Sequence, residues 1–148
     1  MLNERIEELV PSLELCLQLR ALGMPQESVF YWSRRQSDQR YELKLGRGSG
    51  AASDTESDIA APTSAELGRL LPAGIDRGAD HFWLVFRTVK SALVDGWYWA
   101  GYYEAEEERY LYDTHDAKEW ATLSEAATRA QMLIEVIRGG DADFAAHP

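Results

Sequence analysis

Two stretches decide the fold: HFWLVFRTVK, His81–Lys90, and DGWYWAGYYEAEEERYLYD, Asp95–Asp113. The second places seven Trp and Tyr residues in nineteen positions, out of sixteen aromatics in the whole chain. Successive side chains of a strand point to opposite faces. In the first stretch Phe82, Leu84 and Phe86 share one face, and Trp83, Val85, Arg87 and Val89 the other. SALVDG then connects to a second strand, GWYWAGYYE. AEEER makes a turn, and YLYD is a third strand. Within the second strand Trp97, Trp99 and Tyr103 alternate with Tyr98, Tyr102 and Glu104. In the third, Tyr110 and Tyr112 point together, away from Arg109, Leu111 and Asp113. One combination is self-consistent. Phe82, Leu84, Phe86, Trp97, Trp99, Tyr103, Tyr110 and Tyr112 face an apolar helix. Trp83, Arg87, Tyr98, Tyr102, Glu104, Arg109 and Asp113 form the second face.

That helix is TLSEAATRAQMLIEVIRGG. Ala126, Ala130, Leu133, Ile134 and Ile137 fall on one side at helical spacing. Thr122 and Glu125 have capping-box spacing, Gly139 and Gly140 end the helix, and the tail from about 141 is expected to fray. Upstream, Thr63 and Glu66 form another capping box ahead of Leu67, Leu70 and Leu71, with Pro72 as the stop. The N-terminal segment carries Leu2, Ile6, Leu9, Leu13 and Cys16 at helical spacing. Pro11 divides it into a short helix and a second one from about Pro11 to Leu22, closed by Gly23 and Pro25. Ser28–Arg34 and Arg40–Leu45 form a β-hairpin. Gly46–Ala61, rich in Gly, Ser, Ala and Asp, has little to bury and is expected to be a mobile loop.

At 148 residues the chain fits one domain, and no run approaches the ~18 apolar residues of a membrane span. The acidic N-terminus, MLNERIEELV, is unlike a signal peptide. One cysteine allows no internal disulfide. These features favour the cytoplasm. The net charge of −10 opposes direct binding to nucleic acid, which depends on Lys and Arg neutralising phosphates. Arg34, Arg35, Arg40, Lys44 and Arg47 stand against Asp38 and Glu42, a local +3 that leaves −13 on the rest of the chain. This basic patch is either a surface for an acidic partner or the solvated side of the hairpin.

Catalytic and metal signatures are sparse. His81, His115 and His147 have no partner at a metal-ligand spacing. Asp113-Thr114-His115-Asp116 is the one tight acid–histidine cluster, able to hold a cation, to serve as a general base, or simply to form a turn. Cys16 lies on an apolar stripe, as a buried structural thiol would. Gly46, Gly48 and Gly50 lack the helix and the Lys–Ser/Thr pair of a phosphate loop. No cofactor is implied.

From Thr63 to Arg138 the order helix, three strands, helix resembles the double-stranded RNA-binding domain. The basic helix start of that family is absent, since Thr122-Leu123-Ser124-Glu125 stands there. The strand meander followed by TLSEAATRAQMLIEVI also resembles small antitoxin-type domains. LCLQLRALGMPQESVFYW, IAAPTSAELGRLLP and LSEAATRAQMLIEVI resemble short uncharacterised proteins of tailed phages and prophages. That resemblance implies a phage or mobile-element origin and no activity, with the 46–58 loop as an insertion.

The expectation is therefore a single α+β domain, with an antiparallel sheet of about five strands and helices packed on it. The functional reading is a non-enzymatic module that binds a protein partner, an inhibitor of a bacterial defence or host protein being one version. Its candidate contact residues are Trp83, Arg87, Tyr98, Tyr102, Glu104, Arg109 and Asp113, a mixture of Trp, Tyr and Arg that is enriched at interfaces. The alternatives are a metal-dependent hydrolase or nuclease centred on Asp113–Asp116, and an assembly protein that forms a homodimer.

Overall fold

The computed structural model describes residues 8–35, 37–46, 58–91, 94–113 and 124–144; for 88–91, 94–97 and 113 it describes the backbone alone. The chain runs α1 (Leu13–Ala21), β1 (Phe30–Arg34), β2 (Tyr41–Leu45), β3 (Ile59–Ala61), α2 (Ser64–Leu70), β4 (Gly74–Arg77), β5 (Asp80–Ser91), β6 (Val94–Glu104), β7 (Arg109–Asp113) and α3 (Glu125–Arg138). The class is α+β, as the patterning predicts. The strands divide between two antiparallel sheets, β2-β1-β3 and β4-β5-β6-β7, rather than forming one sheet of about five.

Local signals set the helices. Ser12 caps α1 by accepting from Leu15 N at 3.3 Å, so the helix starts two residues after Pro11. Gly23 follows it with φ +99°, a conformation that glycine adopts without strain. The Thr63–Glu66 box on α2 is complete: Glu66 N donates to Thr63 Oγ1, and Thr63 N donates back to Glu66 Oε1. The cap of α3 is Ser124, accepting from Ala127 N at 3.1 Å. Thr122, the expected cap, lies outside the described residues.

Two expectations require correction, and a third segment makes contacts that the sequence does not announce. Ile59–Ala61, assigned to a loop, is a buried strand paired with β1, because Ile59 and Ala61 join one buried apolar cluster and Ala60 the other. Gly74–Arg77 adds a strand, so four strands rather than three separate α2 from α3. The start of the tail, expected to fray, makes specific contacts. Asp141 accepts from Arg77 Nε at 3.0 Å and Nη2 at 2.5 Å and from Tyr112 Oη at 2.6 Å, and Phe144 is buried. This clasp ties the end of α3 to both edge strands of the larger sheet.

The main core lies between α3 and one face of β4–β7. Leu19 of α1, Tyr31 and Ala60 of the smaller sheet, and Leu67 of α2 complete it. Gly139 lets the end of α3 approach β7: a Cβ there would lie 1.7 Å from Tyr112 Oη. A second cluster joins Val10, Cys16, Ile59 and Ala61 beneath Phe30 and Trp32. Cys16 is buried, as expected; its Sγ lies 3.6 Å from Pro11 O, and burial pushes the thiol up to about 12. The hairpin and α1 thus pack on the helix side of the molecule.

Candidate functional site

The larger sheet has two chemically different faces. Opposite residues of an antiparallel pair share a face, and the register pairs Trp83 with Tyr103, Leu84 with Tyr102, Phe86 with Ala100 and Arg87 with Trp99. Tyr102 is paired with Tyr112, but Tyr103 is paired with Tyr110. The inner face is therefore Phe82, Leu84, Phe86, Tyr98, Ala100, Tyr102 and Tyr112. The outer face is Trp83, Val85, Arg87, Trp99, Tyr103 and Tyr110.

Two irregularities account for the difference from the sequence reading. At the end of the β5–β6 hairpin Ser91 opposes Val94, and that register, continued, would set Phe86 against Trp99. A shift between Val89 and Ser91 moves it by one residue, and Phe86 meets Ala100. The second shift lies opposite Leu111, which is the extra residue of a β-bulge. Tyr110 and Tyr112 therefore face opposite ways although they are two positions apart. A one-residue slip exchanges every face assignment beyond it.

The seven candidate contact residues are consequently not one surface. Trp83 and Arg87 lie on the outer face and are exposed. Tyr98 is inside, stacked on Phe86 with ring centroids 5.9 Å apart. Tyr102 is wholly buried, donates to Pro72 O at 2.7 Å, and its phenol is raised above the ordinary range by burial. Glu104 is buried and accepts from Glu106 N at 2.8 Å and Glu107 N at 3.0 Å, which closes the β6–β7 turn. Arg109 covers the end of the inner face, its guanidinium 5.3 Å from the Phe82 ring and 2.5 Å from Asp80 Oδ2. The backbone of Asp113 pairs with Gly101, and its side chain lies outside the described residues.

In place of that set, the structure aligns three rings across adjacent strands, Trp83, Tyr103 and Tyr110. Tyr103 and Tyr110 have centroids 4.8 Å apart. Trp83 is 61% exposed and Tyr110 40% exposed. His81 meets Trp83 edge-on with centroids 4.1 Å apart, and its Nδ1 is hydrogen-bonded to the Asp76 carboxylate. Further along the face, the Arg87 guanidinium sits 5.5 Å from the Trp99 ring, and Tyr110 closes on Trp99 at 89°. Gly101 makes this approach possible: a Cβ there would lie 3.1 Å from both Trp99 and Tyr110. The Tyr103 phenol is held above its ordinary range, first by partial loss of water and then by the nearby Glu108 carboxylate. Among the sequence signals, only the exposed position of Trp83 and Arg87 is readable without the register; simple alternation places Tyr103, Tyr110 and Trp99 inside.

Among the described residues no group of three His, Cys, Asp or Glu side chains could hold a metal ion. Thr114, His115 and Asp116 lie outside them. No helix among the described residues is long and apolar enough to cross a membrane. Comparison with protein-family models, with curated proteins and with solved structures gave no match.

Proposed function

We propose that the chain is a non-enzymatic binding protein that contacts a protein partner through the outer face of the β4–β7 sheet. The observation behind this is the row Trp83–Tyr103–Tyr110. Among the described residues the other large exposed apolar side chains, Leu9, Leu17, Val29 and Leu45, all lie in the N-terminal half of the sequence, whereas Trp83 and Tyr110 belong to one aromatic band. A contiguous apolar patch on a protein surface marks an interaction site more often than isolated exposed residues do. Trp, Tyr and Arg are the side chains that dominate binding energy at interfaces. Inhibition of a host or defence protein by a phage- or prophage-type protein is one concrete form of this reading.

The test is capture from bacterial lysate with wild type and with Trp83→Ala and Tyr110→Ala, followed by reconstitution of the captured protein in pure form. A stoichiometric complex formed by the wild type and lost in both folded variants supports the reading. A complex that survives both variants sinks it. Self-association of the wild type that is lost in both variants would make the partner a second copy.

A further inference from the structure

We infer that the Trp83–Tyr103–Tyr110 row, with the Glu108 carboxylate beside it, receives arginine side chains from a basic, extended segment of the partner. The inference rests on the outer face being the contact surface, and it adds the chemistry of what binds there. One general property of aromatic rings and two observations converge on it. Aromatic faces attract cations through their quadrupole, and the planar, weakly hydrated guanidinium stacks on them better than an ammonium does. The face already holds one such pair of its own, Arg87 over Trp99. The row also ends at the acidic β6–β7 turn. There Glu107 is paired with Arg109 at 3.4 Å, whereas Glu106 and Glu108 form no ion pair among the described residues. Trp99, which carries the Arg87 guanidinium, is only 5% exposed, whereas Trp83 and Tyr110 are open to a ligand.

The same rings on a basic sheet would be a platform for stacking nucleic-acid bases. Here carboxylates border the row and the chain carries −10, so phosphates are repelled and cations attracted. This charge complementarity selects a basic peptide over RNA or single-stranded DNA.

The experiment is fluorescence anisotropy at low salt with the full chain. The probes are a labelled short peptide with arginine at alternate positions, its lysine and citrulline counterparts, and labelled oligothymidylate. The arginine peptide binds best, the lysine peptide less well, and the neutral citrulline peptide and the oligonucleotide not at all. Trp83→Ala weakens arginine-peptide binding about tenfold, since it removes a cation–π contact. Glu108→Gln weakens it about threefold. Arg87→Ala does not weaken it, whereas it would weaken binding of a nucleic acid. Leu45→Ala, at an exposed apolar position of β2 outside the row, binds as the wild type does, and circular dichroism of each variant guards against a folding artefact.

Equal binding of the arginine and lysine peptides, unchanged by Trp83→Ala, overturns the inference in favour of diffuse charge attraction. Preference for the oligonucleotide overturns it in favour of base stacking. Failure of the arginine peptide while Trp83→Ala still abolishes the reconstituted complex overturns the assigned chemistry and leaves the contact surface standing.

Discussion

Tyr102 and Tyr103 are neighbours in the chain and sit in opposite environments. Tyr102 lies under α3, fully buried, with its hydroxyl committed to Pro72 O and its ring edge-on to Tyr112. Tyr103 is half-buried on the other face, between Trp83 and Tyr110. One face of the sheet is organised for packing, whereas the other leaves Trp83 and Tyr110 open while burying Trp99. An aromatic residue in β6 therefore says nothing about role until its parity is known.

Substitutions can test how deep this contrast runs. The largest effect belongs to Tyr102→Ala. Emptying a fully buried aromatic site costs about 3–5 kcal/mol, and chemical denaturation should show a midpoint lowered to match. A cost near zero would mean that the inner face is not the core. Gly139→Ala comes next. Its Cβ would overlap Tyr112 Oη, and relieving that overlap in packed surroundings costs about 1–3 kcal/mol, measurable in the same denaturation series. Tyr102→Phe keeps the ring and loses the bond to Pro72 O, a change of about 1 kcal/mol.

Asp141 tests the clasp through pH. Burial acts to raise its carboxyl, but the hydrogen bonds from Arg77 and Tyr112 outweigh it, and the net result lies below the ordinary carboxylate range. A depressed acid stabilises the fold above its unfolded value of about 3.9, and that contribution disappears as pH falls through the folded value. Asp141→Asn should therefore melt at a lower temperature than wild type near neutrality, and the two should begin to converge near about pH 4 and meet only once the pH lies below the folded value. The smallest effect belongs to the outer face. Trp83→Ala should change stability by no more than about 0.5 kcal/mol while removing binding. A large loss there would assign Trp83 to structure and erase the distinction between the faces.

The sequence disclosed what is local. The Thr63–Glu66 box needs only residues three apart, and Leu133, Ile134 and Ala130 mark the buried side of α3 through their own spacing. The β1–β2 hairpin is likewise visible from two alternating runs around a polar turn. Ile59–Ala61 and Gly74–Arg77 were not visible. Three apolar residues, Ile-Ala-Ala, or a strand of Gly, Ile, Asp and Arg, acquire their identity from the neighbour they pair with. The Asp141 clasp joins residues 64 positions apart and has no local signature. The candidate site failed for a narrower reason. Alternation was read correctly within β5 and within β6, but the register shifts at Val89/Ser91 and opposite Leu111 change the parity between strands. Such shifts follow from turn geometry and packing rather than from composition.

The extra residue at Leu111 also determines where this chain can change length. Deleting Leu111 would leave Tyr110 outward against Tyr103 and Tyr112 inward against Tyr102, because a regular strand gives neighbouring positions that same alternation. A deletion between Trp99 and Tyr102 would instead invert part of β6, drawing an outer ring into the core and turning a core ring toward water. Single-residue insertions and deletions should therefore be tolerated at Leu111 and purged a few residues away in β6, a pattern of permitted lengths written into the sheet by one bulge.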